Sequence, residues 1–320
     1  METPVCTVII PTRNGLAHLP NALDSVWSQG AAVLEIIVVD DGSTDGTADW
    51  LAAEASRRPA LRVLQGGGCG PSHARNRALT AARGDLVAFL DDDDRWLTGK
   101  LDTQIAFHRQ QPDTVFSFTD YRHVGPDGGD RGTAFAHWPL YRPFVGMPNF
   151  ARLADAPATL LAENAVGTST VMARSNAMRA VGGFQTDLLS AEDWEQWLRL
   201  ARLGPVALTG RVLADYSMRP GSVSSNATCR LDAMQEILRR HGHAAADVPG
   251  WAVRRASARI LTGRAELARA EGRSWHAFVR HCAALALAPS PRALRAALAD
   301  ARDGLLQPLT RTTLPWGRKC

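Results

Sequence analysis

Apolar and polar positions in the first ninety residues alternate between two periods. Val5–Pro11 ("VCTVIIP") is a short β-branched run bounded by Pro, Thr and Asn, the pattern of a buried strand. Leu16, Leu19, Leu23, Val26 and Trp27 then keep helical spacing, with Pro20 near the start and Gly30 as the stop. Leu34–Gly42 ("LEIIVVDDG") predicts a second buried strand, and Gly46–Arg58 a helix capped by Thr44 or Asp45. "LRVLQ" is a third strand. The glycine cluster Gly66–Ser72 opens a helix ending near Arg83, and "DLVAFLDDDD" is the fourth strand. Strand–helix alternation at this pace predicts a parallel sheet with right-handed crossovers. Ligands of such open sheets gather at the carboxyl ends of the strands.

The pattern then loosens. Thr114–Val124 and Gly167–Arg174 read as strands, and "GPDGGD" as a turn. Residues 131–165 mix Pro, Trp and Gly without period, which predicts loops with a short helix. Ala191–Gly204 is a strong helix with Trp194, Trp197, Leu198 and Ala201 on one face. "PVALTG" and "VLADYSM" add strand signal. Beyond Asn226 the chain reads as Ala/Arg/Leu helix, broken near "APSPR". The fold class expected is therefore α/β, a mixed but mostly parallel, Rossmann-like sheet flanked by helices over residues 1–225. A helical C-terminal extension follows over 226–320.

Composition adds little to this picture and charge adds more. An apolar content of 45% and a charged content of 21% describe an ordinary globular chain. Five scattered cysteines without a C-x-x-C pair read as reduced thiols of a cytosolic protein. A strand begins almost at once, so no signal peptide is expected, and no window approaches the ~18 uninterrupted apolar residues of a spanning helix. The net charge of +4 is uneven: 16 of the 36 basic residues but only 7 of the 32 acidic ones lie from Asn226 onward. That basic tail suits peripheral attachment to an anionic membrane surface, an anionic partner, or simply a soluble arginine-rich helical region.

Three acidic groups fall at strand ends or a helix start: Asp40/Asp41, Asp91–Asp94 and Glu192/Asp193. A parallel sheet brings the first two to one rim, where like charges raise one another's pKa unless a cation intervenes. Hard carboxylate oxygens suit Mg²⁺ or Mn²⁺, with the metal bridging to a phosphate group. The plainer reading of the tetrad is a solvated acidic turn capping the next helix. Arg13, the Gly70 amide, His73, Arg75 and Arg77 supply groups that bind phosphate; as a plain alternative, Arg75 is a surface residue of an amphipathic helix. Neither G-x-G-x-x-G after the first strand nor G-x-x-x-x-G-K-[ST] occurs, which counts against dinucleotide oxidoreductases and P-loop nucleotidases.

Taken together, "VIIPTRN", "VVDDGSTDGT", "GPSHARNRAL", "GDLVAFLDDDDRW", "GGF" and "AEDWEQWLRL" resemble, in order and rough spacing, the inverting family-2 glycosyltransferases of GT-A fold. The resemblance runs from Val5 to about Ser224. It implies that Pro11, Thr12 and Arg13 border the base and ribose, and that Asp41, with Asp40 beside it, bonds the base, usually uracil. Arg13 stands where the family commonly has an aromatic residue or Glu. Arg75 would lie near the nucleotide, and Asp91 would touch the ribose. Asp93 and Asp94 would face the metal, while Asp92, normally a small residue in this nucleotide-binding motif, would point away. Asp193 would be the catalytic base, with Glu192 positioning sugar or acceptor. Trp194 and Trp197 would line the sugar pocket or, on the plainer reading, pack the helix face. In "YSMRPGSVS", Arg219 stands where His is common; a guanidinium cannot ligate a metal but can neutralise a diphosphate.

The expected enzyme is thus a metal-dependent hexosyltransferase. Its partners would be a nucleoside-diphosphate sugar, most simply UDP-linked, and a glycan, lipid-linked or small-molecule acceptor. Nothing points to nucleic acid. A carboxylate within reach of the acceptor hydroxyl takes its proton, and in-line displacement inverts the anomeric centre. Rivals are a non-catalytic nucleotide-sugar binder and a phosphohydrolase using "VVDDGS". The latter lacks the D-x-D-G-T spacing, because Val39 holds the position of the first Asp. A sugar-nucleotide pyrophosphorylase would need a Lys after a Gly-rich first loop, but the only lysines are Lys100 and Lys319.

Overall fold

The computed structural model describes residues 5–30, 33–219, 226–242 and 248–306. The end of the "YSMRPGSVS" segment, Lys319 and Cys320 lie outside them. The chain forms two compact units, Met1–Val253 and Arg254–Cys320.

The first unit is built on one mixed sheet. Strands β1 (Cys6–Thr12), β2 (Val33–Asp40), β3 (Leu61–Gln65) and β4 (Leu86–Phe89) pair in parallel in the order β3-β2-β1-β4. All seven residues of β1 and all four of β4 are buried, as expected of strands covered on both faces. Helices α1 (Leu19–Trp27), α2 (Thr47–Arg57) and α3 (Pro71–Ala81) make the crossovers. Leu19, Leu23 and Val26 of α1 pack on Val8, Ile10, Ile36 and Val38, so the helical and strand periods meet in one core.

Beyond β4 the sheet turns mixed. Strand β5 (Arg95–Trp96) lies antiparallel to β10 (Val206–Ser217), α4 (Lys100–Gln110) follows it, and β6 (Phe116–Val124) runs parallel to β10. β9 (Met172–Arg174) is antiparallel to both β4 and β6 and joins the two halves. Asp91–Asp94 therefore occupies the reverse turn from β4 into β5, closed by Asp94 N–H donating to the Asp91 carbonyl at 3.1 Å. The stretch 131–165 holds more structure than its composition predicts. It contains β7 (Asp130–Thr133), α5 (Ala134–His137), β8 (Ala151–Arg152) and α6 (Ala156–Ala162), with β7 and β8 pairing to β6 and β10. Only Met172–Arg174 of the expected Gly167–Arg174 strand pairs into the sheet; Thr168–Thr170 is a 3₁₀ turn. The two strand signals near the end of the unit are one strand, β10, bent by register shifts between Thr209 and Ala214.

Helix α7 (Ser175–Ala180) leads through a glycine turn to α8 (Glu192–Ala201), whose apolar face is the firmest part of the second core. Trp197 is fully buried, with its ring 5.7–5.8 Å from those of Phe89, Phe116 and Phe184. The first unit extends past the boundary expected at residue 225, because α9 (Ala227–Gly242) packs on it. His241 Nε2 lies 3.3 Å from Glu195, Arg240 pairs with Asp187 at 2.5 Å, and Ile237 and Leu238 are buried.

The second unit is helical. The division falls inside α10 (Gly250–Ala270), and α11 (Ser274–Leu287) and α12 (Pro291–Leu306) form a hairpin. The tail breaks at "APS" as expected and also at Gly272, whose φ of +75° ends α10 in the left-handed region. No helix among the described residues is long and apolar enough to cross a membrane. Cys6, Cys69, Cys229 and Cys282 are free thiols.

Candidate active site

The carboxyl ends of β1, β2 and β4, the start of α8 and the ends of β6 and β10 enclose a cleft of about 810 Å³. Pro11, Thr12, Arg13, Asp41, Arg75, Asp91–Asp94, Glu192, Asp193 and Arg219 all line it. Residues up to 208 apart in sequence thus meet at one rim. Asp40 and Trp194 do not. Asp40 is buried below the rim, where it accepts from Ser43 N–H at 3.0 Å. Trp194, one of the residues expected at the sugar or acceptor, is a core residue: 1% exposed, its Nε1 donates to the Leu160 carbonyl at 2.8 Å. Trp197 is likewise core. Its indole lies among the rings of Phe89, Phe116 and Phe184.

Each carboxylate of the tetrad has a different neighbour. Asp91 accepts from Arg75 Nη2 at 2.7 Å. Asp92 does not point away: it accepts from the Thr12 hydroxyl at 2.5 Å. Asp94, expected at a metal, accepts from the Ser169 hydroxyl at 2.6 Å and from Ser217 N–H at 2.9 Å, and is 3% exposed. Asp93 is held by Arg219 Nε, and that arginine is itself partly exposed. Burial and then repulsion within the turn raise Asp92, Asp93 and Asp94. Asp92 is pushed up to about 6, Asp93 is raised by burial and by Asp91, and Asp94 is raised well above the usual carboxylate range by burial, Asp93 and Asp91.

That charge surplus fits a hard divalent cation at Asp93. Among the described residues no three His, Cys, Asp or Glu side chains are gathered to hold a metal by themselves. Asp93 is the residue here that could hold such a cation.

Arg75 joins two of the three acidic groups. Buried on α3, it reaches Asp91 with Nη2 and Glu192 with Nη1 at 2.9 Å, and its guanidinium stacks over the Phe184 ring at 5.3 Å. Burial alone would lower its pKa, but Asp91 and Glu192 outweigh that and raise it. Arg75 is thus a fixed cation within the rim rather than a surface residue. Asp41 is equally committed: its oxygens accept from the backbone N–H of Gly67 (3.1 Å), Cys69 (3.2 Å) and Gly70 (2.7 Å). The approach demands glycine at 66, where an added Cβ would lie 2.5 Å from Asp41 Oδ1. With Asp40 and Asp41 both occupied in this way, no carboxylate of "VVDDGS" stands ready as a phosphohydrolase nucleophile.

Asp193 enters the cleft from the first turn of α8. Thr168 Oγ1 donates to its Oδ2 at 2.9 Å and Trp194 N–H to its Oδ1 at 2.7 Å. Burial, then the neighbouring Glu192, push its pKa up to about 6. Ala191, just before the pair, has φ +55°, a left-handed conformation costly for a residue with a Cβ.

Several cleft residues carry no motif. Tyr121 and His123 at the end of β6 and Tyr216 at the end of β10 form a wall, their ring centroids 5.1–5.8 Å apart. Gly167 lets Tyr121 approach, since a Cβ there would meet its ring at 2.8 Å. Strand alternation puts Tyr121 and His123 on one face, so this wall was legible once "FTDYRHV" was read as ending at the rim. Thr168 and Ser169 had no such signal.

Residues 7–159 match the profile of the family described as "Glycosyl transferase family 2". The chain is 32% identical over 225 residues, covering 70% of itself and 82% of the relative, to a protein of Bacillus subtilis (strain 168) named "Putative teichuronic acid biosynthesis glycosyltransferase TuaG".

The chain belongs to glycosyltransferase family 2.

It is also 28% identical, over 74% of its own length and 86% of the relative's, to the Escherichia coli "UDP-Glc:alpha-D-GlcNAc-diphosphoundecaprenol beta-1,3-glucosyltransferase WfaP". Among solved structures, S. aureus TarS residues 1–349 in complex with UDP-GlcNAc superposes with a TM-score of 0.64 at 20% identity, covering 93% of this glycosyltransferase and 89% of TarS. The Pyrobaculum calidifontis mannosyltransferase PcManGT, in complex with GDP-Man and Mn²⁺, gives 0.63 at 21% identity over 95% and 81%. The fold of this glycosyltransferase is therefore GT-A.

Proposed function

We propose that this family 2 glycosyltransferase transfers a hexose from a UDP-linked donor to an acceptor hydroxyl with inversion, using Asp193 as the base. The reading is carried by one observation: Asp193, oriented by Thr168 and raised to about 6 by burial and Glu192, shares a cleft with the aspartate turn that ends β4. A carboxylate tuned upward is a stronger proton acceptor while still ionised at neutral pH. Glu192, fixed by Arg75, positions the sugar or acceptor beside it.

Asp91 and the Pro11–Arg13 segment bind the nucleoside, and Asp41 shapes the loop beneath it. Asp93 is the residue that would hold Mg²⁺ or Mn²⁺, with Asp94 supporting the turn behind it. When bound, such a cation neutralises the leaving diphosphate. Arg219, paired with Asp93 at the cleft, is the arginine that could neutralise diphosphate oxygens. The choice of UDP is supported by the names of WfaP and TarS, against the GDP sugar of PcManGT. The acceptor class supported by the WfaP name is a diphosphate-linked polyprenyl sugar. Peripheral attachment of the basic C-terminal region to a membrane belongs to the same reading.

The test is Asp193→Asn. Transfer should fall by at least about 10²-fold while donor affinity, measured by calorimetry with Mn²⁺, stays within a factor of about two. Wild-type turnover should also rise with pH through about 6, because the base works only when ionised. A variant that turns over at the wild-type rate would reject Asp193 as base; unaltered donor affinity in Asp93→Ala would reject the metal anchor.

A further inference from the structure

The helices of the second unit are packed inside out. α11 and α12 bury Ala277, Ala284, Ala293, Ala297 and Gly304, together with the polar pair His281 and Asp300. The largest apolar side chains face outward, from Trp275 at 47% exposed, through Leu294 at 51%, to Val279 and Leu298 at 63% and Leu305 at 75%. A solvated helix hairpin places its residues the other way round.

Of the exposed leucines of α12, all but Leu306 lie on one side. In α12 the spacing Leu294, Leu298, Leu305 keeps a single stripe. Arg292 and Ala296, which meet α10 through Glu266 (3.2 Å) and Arg269 (2.8 Å), lie on the opposite side of the helix. On α11, Trp275 and Val279 lie away from the buried Ala277, His281 and Ala284. Phe278, half-buried, stands edge-on to Trp275 at 5.7 Å. α10 meets the hairpin on another side, and exposed Trp and Leu side chains are left uncovered.

Charge decides what covers these side chains. Residues 254–306 carry ten arginines and four acidic residues, a net charge of +6. Among the described residues, Arg280 and Arg295 donate to the backbone carbonyls of His276 and Pro291 and form no salt bridge with a carboxylate. Docking a second copy on the exposed Trp and Leu would bring two such positive surfaces together. An anionic bilayer meets both needs at once: lipid accepts Trp and Leu at the headgroup boundary, and anionic headgroups compensate arginine. We propose that the Trp275–Leu294–Leu298–Leu305 face of the α11–α12 hairpin is a docking surface for an anionic lipid bilayer. The inference rests on the lipid-linked acceptor reading in so far as it brings the enzyme to such an acceptor.

The experiment is flotation of the full chain with vesicles of phosphatidylcholine alone, and with about 30% phosphatidylglycerol, at low and high salt. The chain should float with the anionic vesicles only, and salt should weaken but not abolish binding. The exposed double variant Leu294→Ser/Leu298→Ser should lose at least about tenfold in bound fraction while keeping its melting temperature. Donor affinity is measured on the same samples. If it is intact while no vesicle binds, the docking surface fails and the enzymatic reading stands. Equal flotation with neutral vesicles, or by the double variant, would overturn the inference. So would a concentration-dependent dimer in sedimentation that the double variant abolishes, since the exposed leucines would then face a second copy.

Discussion

Helices α8 and α12 are both amphipathic, but they bury opposite halves of themselves. α8 turns Trp194, Trp197 and Leu198 inward and leaves Glu192 and Asp193 at the cleft. α12 turns Ala293, Ala297, Asp300 and Gly304 inward and leaves four leucines in solvent. In α8 the side chains at the cleft come from the first two residues, and those that hold the fold follow them along the helix. In α12 the apolar residues are left for contact outside the chain, and the interior is closed by small residues and an ion-paired cluster. Amphipathicity alone therefore tells where a helix is apolar, and burial tells what that apolar face is for.

Substitutions sharpen this contrast. Trp197→Ala empties a site enclosed by three aromatic rings and should cost about 3–5 kcal/mol in denaturant unfolding followed by circular dichroism. Asp300→Ala should cost about 2–3 kcal/mol, because it strips the partner from His281, 2.6 Å away, and from Arg269. Leu298→Ser alone should change stability by less than about 0.5 kcal/mol. A loss at Leu298 as large as that at Trp197 would mean the leucine is covered in the free protein, and the contrast between the two helices would disappear.

The sequence was most legible where a single period ran unbroken. The buried runs of β1, β2 and β4 and the Trp-bearing face of α8 could be read directly, and the order of their motifs already pointed to the family. β5 could not be read: it is two residues, Arg95 and Trp96, made a strand only by pairing with β10. The same holds for β7 and β8, whose partners lie elsewhere in the chain. At the site, the acidic and basic residues were visible by type, but their duties depended on distant neighbours. Arg75 was expected near the nucleotide and binds Asp91 and Glu192, while Asp92 was expected to turn away and reaches Thr12. Thr168, which orients Asp193, sits in a 3₁₀ turn without a chemical signature. The tail's charge was plain from composition, whereas its reversed packing needed the burial of each helix face.

Asp41 gathers three amides of the loop that follows β3, so the end of β2 and the glycine segment behave as one braced corner. A floor set in place before any ligand arrives leaves less chain to immobilise on encounter. The glycines at this corner consequently supply stiffness rather than suppleness, and lengthening the loop by a residue should slacken the grip on donor without touching a group that contacts it.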